Sequence, residues 1–418
     1  MSAGFVTPSA GQSASSSLED VRARRVPASE EISQELAAAR FSLGPFRILP
    51  RLEIREVGYD SNVFGSAENP EADERAQVAA GIRAILPIGR KTYVRADALP
   101  EYVYYRRHPD LRRFNGRYGA QLLGLYNRLG LDVRGYTDRT REYLSSEVFL
   151  PVDRRTDGGS AEIEIEFLRR LGLPLSYGED RIRYLGGGRS SPLGFASVSD
   201  LDRRERTARG GLRYRFTERV SLAGLVEESR TDFSRRRNPR NNRSRAYLLG
   251  LHYDRSRFYV DLTGGYRKVE PRVEGDFPEF SGASGSVFSS YALPGRRLAI
   301  TAYAHRGINY ALFENIPYYR EEVLGGGPEL QIGTRARVSF FGETGRNVYP
   351  APVVVGGQSV VRADRVRSWG GGVAIDLSRA LVLGVRTSET RYDSNVTGFD
   401  RNVFRVWSTV SLNGGDFR

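Results

Sequence analysis

Cysteine is absent from this 418-residue chain, which excludes disulfides, thiolate metal sites and cysteine nucleophiles. Long apolar runs are absent too. No stretch approaches the roughly 18–20 uninterrupted apolar residues that a membrane-crossing helix needs, and mean hydropathy is −0.45. Such polarity does not exclude a membrane β-barrel, because only alternate residues of each strand meet lipid and the others line a wet interior. Lysine occurs only at Lys91 and Lys268, so arginine supplies almost all of the 63 basic side chains and the formal charge of +13. That charge alone does not choose among nucleic acid, an anionic polymer and an anionic membrane surface.

Catalytic raw material is equally sparse. Histidine stands only at His108, His252 and His305, and there is no phosphate-binding loop, no His-Glu-x-x-His pair, no Gly-x-Ser-x-Gly elbow and no EF-hand loop. Three triple glycines, Gly186–Gly188, Gly325–Gly327 and Gly370–Gly372, open no helix after a buried strand and are expected in loops or at strand rims. His305 is expected to face inward near the loop end of its strand, with no partner that spacing can supply. No catalytic, cofactor-binding or metal site is expected, and the chain reads as a non-enzyme. A secretory signal is not visible from Met1 to Phe5 onward either, so the expectation is that the true start, with its export signal, lies upstream or that the chain is a processed or truncated form.

What the chain has is 46 glycines, 23 tyrosines, 20 phenylalanines and a long alternation of apolar and polar residues. Residues 1–45 read as a Ser/Ala-rich, partly disordered extension, a linker or periplasmic tail with one short helical stretch from Glu30 to Ala39. Residues 46–418 read as one barrel. Short polar turns recur at Arg90, Arg128, Arg170, Glu218, Ser256, Arg296, Arg335 and Arg379, at intervals near forty residues. Two membrane strands of ~9–11 residues, one short turn and one longer loop add up to about that length. Eight hairpins plus the flanking runs Leu49–Tyr59 and Asn402–Leu412 predict about eighteen antiparallel strands in a closed, up-and-down transmembrane β-barrel, all-β, with short periplasmic turns and long extracellular loops.

Strand by strand, one face is apolar. Leu129, Leu131 and Val133 oppose Asp132 and Arg134; Ala161, Ile163, Ile165 and Phe167 oppose Glu162, Glu164 and Glu166; Leu212, Tyr214 and Phe216 oppose Arg213 and Arg215. Aromatics beside the short turns (Tyr126, Phe167, Phe216, Tyr253, Phe258) and near the long loops (Tyr102, Tyr104, Tyr143, Tyr184, Phe233, Tyr266) are expected to form two interfacial girdles. By the same parity, the lumen is expected to carry Arg51, Arg55, Arg83, Arg95, Arg134, Arg209, Arg213, Arg215, Arg267, Arg337, Arg386 and Arg405. Against them stand Glu53, Asp97, Asp132, Glu162, Glu164, Glu166, Asp261 and Glu343. Two readings follow: a solvated wall of local ion pairs, or a mildly anion-attracting channel.

The basic run Arg235 to Arg245 has no aromatic interleaving for base stacking. It is expected in a long outward loop near lipid phosphates, lipopolysaccharide or anionic polysaccharide rather than on nucleic acid. Tyr59-Asp60-Ser61-Asn62-Val63 recurs unchanged as Tyr392-Asp393-Ser394-Asn395-Val396. Both copies end an upward strand, on the two strands flanking the last one. They are expected at one rim about 10 Å apart, either as a girdle tyrosine with a turn-starting Asp-Ser-Asn or as a paired site (Tyr59, Asp60, Asn62, Tyr392, Asp393, Asn395) for a cation or sugar.

With Gly58 to Phe64, the late repeat and strand–turn units such as Gly211 to Leu222, the chain from Phe46 onward resembles the type 2 family of outer-membrane β-barrel porins associated with exopolysaccharide gene clusters. The resemblance implies a Gram-negative outer-membrane conduit exporting a secreted polysaccharide, with periplasmic export components as partners. The alternatives are a general diffusion porin for small solutes and a structural or adhesive barrel plugged by its own loops or tail.

Overall fold

A computed structural model describes residues 28–39, 41–142, 152–185, 198–234, 238, 240–272, 278–295, 297–311, 316–355, 358–378 and 380–413. Among them are helix α1 (Ala28–Ala38) and nineteen strands: β1 (Phe41–Leu43), β2 (Phe46–Asp60), β3 (Asp73–Ile88), β4 (Thr92–Tyr105), β5 (Arg113–Leu125), β6 (Leu129–Glu142), β7 (Val152–Leu168), β8 (Leu171–Leu185), β9 (Arg203–Thr217), β10 (Val220–Phe233), β11 (Asn242–Arg255), β12 (Phe258–Pro271), β13 (Phe280–Ala292), β14 (Leu298–Tyr310), β15 (Tyr318–Ile332), β16 (Ala336–Val355), β17 (Gln358–Asp376), β18 (Leu381–Ser394) and β19 (Arg401–Asn413). The short β1 folds back on the start of β2. Strands β2 to β19 each pair antiparallel with the next, and β19 closes on β2 from Arg405↔Asp60 to Asn413↔Arg51. The result is a closed, up-and-down, eighteen-stranded barrel, the count that the turn spacing predicts.

Each short turn of the sequence reading joins two strands, although Arg296 and Arg379 within them lie outside the described residues. Gly89 and Gly333 hold φ +68° and +61° in two of these turns, a left-handed backbone that glycine adopts without steric cost. The barrel strands run 13 to 20 residues, beyond the ~9–11 that span a bilayer. Their excess extends at the long-loop end and shortens the loops. Between β14 and β15, for example, only positions 311–317 separate the strands. The basic run is divided likewise, with Arg243 and Arg245 on β11 and residues 235–237 and 239 outside the described set.

The glycine triplets also differ from expectation. Gly325–Gly327 and Gly370–Gly372 lie inside β15 and β17 rather than at loops or rims, and Gly186–Gly188 is outside the described residues. At Gly325 an added Cβ would sit 2.4 Å from the Tyr303 ring, so the missing side chain is what lets that ring lie across the wall.

Outward positions are apolar through the middle of the strands: Leu52, Ile82, Leu122, Val133, Ile165, Leu212, Leu249, Ile300, Leu330, Val373 and Val385 are all exposed. A continuous apolar exterior is the surface that hydrocarbon covers. No described helix is long and apolar enough to cross a membrane, so the crossing is made by strands. At the short-turn end Tyr126, Phe167, Phe216 and Phe258 are exposed, as a lipid-interface girdle requires. At the other end Tyr104 and Tyr266 are exposed, but Tyr184 and Phe233 point inward into an apolar cluster with Val152, Ile182 and Leu201. They fall on the inner parity of β8 and β10 and pack a loop core instead of the girdle; Tyr143 lies outside the described residues.

Candidate functional site: the barrel lumen

The inner wall is built by strand parity. Register pairs such as Gln121↔Arg134, Asp132↔Glu162, Arg209↔Glu227 and Arg386↔Gly372 put these residues on the face opposite the exposed apolar rows. Arg95, Arg134, Glu164, Arg209, Arg213, Arg215, Asp261, Arg267, Arg337, Arg386 and Arg405 all lie on this inner face.

Most of them are paired. Glu164 accepts from Arg213 at 2.7 Å and Arg215 at 3.3 Å, and Arg215 also donates to Glu166 at 2.5 Å. Glu227 takes Arg209 at 2.9 Å on one side and Arg267 at 2.7 Å on the other. Arg134 is held by Asp132 at 2.9 Å, Arg83 by Asp97 at 2.5 Å, and Arg337 by Asp376 at 3.5 Å. Arg386 lies 5.0 Å from the centre of the Phe341 ring. Glu101, Glu227 and Glu321, which the alternation pattern does not mark as inward, also stand on this wall, along with the helix carboxylates Glu31 and Glu35. The excess of arginine expected there is thereby reduced, and the wall is a mosaic of ion pairs. The arc formed by β14 to β16 differs in character: Glu343 accepts from the Tyr303 hydroxyl, and Glu321 accepts from Asn309 at 2.8 Å.

Inward side chains keep contact with solvent. The Arg134 side chain is 44% exposed, and Tyr136, beside it on the inner face, is 40% exposed. Charged walls that retain water enclose an aqueous bore, as the circumference of sixteen to eighteen strands allows.

Groups pack against the inner wall at both ends of the bore. At the short-turn end α1, which belongs to the segment read from the sequence as a linker or periplasmic tail, lies against the inner wall. Arg95 donates to Glu31 at 2.7 Å and to Glu35 at 3.3 Å, and Arg83 also pairs with Glu35. Ile32 and Glu35 are buried, as are the inward Leu49 and Ile85 of the adjoining wall. Glu31 and Glu35 share a helix face at i, i+4, which lets one arginine clamp both. At the opposite end, loop residues pack as apolar cores inside the strand ends. One joins Val63, Val103, Tyr105 and Leu111; another joins Ala311, Ile316, Tyr319, Tyr349, Val396 and Phe399. Arg362 is fully buried beside the second core, bonded to Asp364 at 2.7 Å and stacked 3.8 Å from the Phe399 ring centre.

The repeated pentapeptide does not make a paired site. Asp60 is buried on the inner face, bonded to Arg405 at 2.9 Å and to the Asn62 backbone N–H at 2.9 Å. Asp393 is exposed on the outer face, 3.7 Å from Arg367. Tyr59 faces outward, whereas Tyr392 carries the Arg401 guanidinium 3.8 Å above its ring. The cause is a β-bulge: Glu56 adopts φ +53°, and β2 slips by one residue against both β3 and β19. One extra residue turns every later side chain to the other face. Both asparagines instead serve as turn staples, Asn62 bonding Ser66 from both ends of its amide and Asn395 bonding Ala363 and Val361.

The imidazoles form no hydrolase arrangement among the described residues. His108 bonds Asp73 at 2.8 Å and Glu71 at 3.0 Å, His252 lies 3.5 Å from Asp261, and Nδ1 of the inward His305 has no hydrogen-bond partner. No cluster of three or more carboxylates or imidazoles there is arranged to hold a metal ion.

No family model and no curated protein matches the chain. Among solved structures it is similar to the outer membrane protein OpdK of Pseudomonas aeruginosa, with TM-score 0.52 and 10% identity over 88% of this chain and 98% of that one. It is similar also to OpdK solved with vanillate, with TM-score 0.51 and 12% identity over 88% and 98%. The Pseudomonas aeruginosa outer membrane protein OprD aligns with TM-score 0.47 and 10% identity over 90% and 96%. The likeness is one of fold. A closed eighteen-strand barrel with an apolar exterior and a charged, wet interior is the architecture of bacterial outer-membrane proteins, and this chain is an outer-membrane β-barrel.

Proposed function

We propose that the protein is a passive outer-membrane porin for small polar solutes, with weak charge selectivity. The observation that carries this reading is the solvent-exposed, charged inner face, represented by Arg134 and Tyr136, inside a closed ring of strands. Because Arg209, Arg213, Arg215 and Arg267 are largely offset by Glu227, Glu164 and Glu166, four cations against three anions, the mild anion attraction suggested by the arginine content is muted.

Export of a polysaccharide, implied by the resemblance to exopolysaccharide-associated barrels, is supported less well. A polymer needs a continuous wide path, whereas α1 lies in one end of this bore and packed loop cores occupy the other. The solved structures of similar fold include one with vanillate, a small molecule. Liposome swelling with sugars of increasing size tests the choice. Entry of monosaccharides with exclusion of long oligosaccharides is expected, whereas free passage of oligosaccharides would favour the export reading.

A further inference from the structure

The outer wall of β8 to β12 changes character abruptly along one register line. Below it the outward residues are Leu175, Gly210, Val226, Tyr247 and Tyr266, paired across successive strands. Two residues further toward the long loops the outward row reads Tyr177, Ala208, Glu228, Arg245 and Lys268, and the next reads Glu179, Arg206, Arg230, Arg243 and Glu270. These charges point away from the lumen, so the channel does not use them. They stand where the apolar belt ends and the headgroups of the outer leaflet begin.

The arginines outnumber their partners. Glu179 is shared by Arg204 and Arg206; Asp232 by Arg206, Arg230 and Arg272; Glu228 by Arg243 and Arg245. Six guanidiniums thus divide three carboxylates, leaving positive charge in excess. Between them lies a cleft of about 520 Å³ lined by Tyr177, Arg206, Glu228, Arg230, Arg243 and Arg272. Each guanidinium offers five N–H donors in a planar fork, and a carboxylate shared among two or three of them cannot occupy all those donors. Phosphate oxygens match the fork in bidentate geometry.

We infer that this cleft is a binding site for the phosphorylated headgroup of an outer-leaflet glycolipid, whose acyl chains descend over the apolar rows beneath it. The apolar rows favour a lipid over a free anion, because headgroup and chains are then engaged by one continuous surface. The inference rests on the outer-membrane placement of the barrel but not on what passes through its lumen.

The full chain in detergent, followed by native mass spectrometry, provides the test, with bisphosphorylated lipid A, the same lipid with its phosphates removed, and inorganic phosphate as probes. Binding of the bisphosphorylated lipid at least about tenfold tighter than either alternative is expected, as charge-assisted pairs combined with chain contacts should give. The triple substitution Arg206→Gln, Arg230→Gln and Arg243→Gln should erase that preference and leave conductance unchanged. Lysines at the three positions should keep part of it. Arg365→Gln with Arg367→Gln, outward on the far side of the ring, should leave it intact. Equal binding of the phosphorylated and dephosphorylated lipids, or inorganic phosphate binding as tightly as the lipid, overturns the proposal even if the triple variant fails to fold. A folded triple variant that keeps the preference overturns it as well.

Discussion

Asp60 and Asp393 occupy the same place in identical pentapeptides and have opposite surroundings. Asp60→Asn removes the carboxylate from a buried contact with Arg405 and is expected to cost about 2 kcal/mol, read as a lower denaturant midpoint in micelles. Asp393→Asn, on the outer face, should leave the midpoint unchanged, and the double variant should behave as the Asp60 single variant does. Arg362 is a stronger case: replacing it with Met leaves Asp364 buried without its main partner, a loss expected to reach about 3 kcal/mol in the same assay. His108, in the loop after β4, gives a pH dependence. Burial pulls its pKa down, but the hydrogen bonds and charges of Asp73 and Glu71 outweigh that and hold it above the ordinary histidine value. A raised pKa means that the clamp is complete below the unfolded value and is lost as pH rises through the folded one. Hydrogen exchange in residues 106–112 should therefore accelerate across that range more than the intrinsic rate does, and His108→Gln should abolish the difference.

At the scale of elements, the strands were readable because each carries one apolar face and ends at a polar turn. Leu129, Leu131 and Val133 face out while Asp132 and Arg134 face in, as alternation requires. What was not legible has physical causes. The bulge at Glu56 is flanked by Gly58, where the register against β3 resumes, but one strand glycine among 46 does not mark a bulge, and the slip reverses the parity of Asp60. On β10 both faces are apolar near the middle, with Ala223 and Leu225 packed inside against Ala246 and Leu248, so alternation could not mark Glu227 as inward. Strand ends that rise above the lipid no longer obey the girdle rule, which is why Tyr184 and Phe233 turn inward. Helix α1 was visible as a helical stretch, but its place depends on Arg83 and Arg95, which lie some fifty residues or more away in the chain. Because α1 lies against the inner wall at the short-turn end, deleting residues 1–39 should raise single-channel conductance. Glu31→Gln with Glu35→Gln should do so in part, through more frequent openings. Unchanged conductance in both variants would show that the helix does not restrict passage.

For the whole molecule, closure by hydrogen bonds alone, without cysteine, makes the ring itself the source of stability, since a barrel leaves no unpaired edge. The purified chain should therefore require an amphiphile to remain monodisperse, because the exposed rows from Leu52 to Val385 have no cover in water. A passive conduit requires that the inner wall enclose water from one side of the membrane to the other. Single-channel recording of the folded protein in a planar bilayer measures that directly. Discrete ohmic steps with a reversal potential near zero in a salt gradient are expected; a silent bilayer, both for the intact chain and after removal of α1, would contradict it.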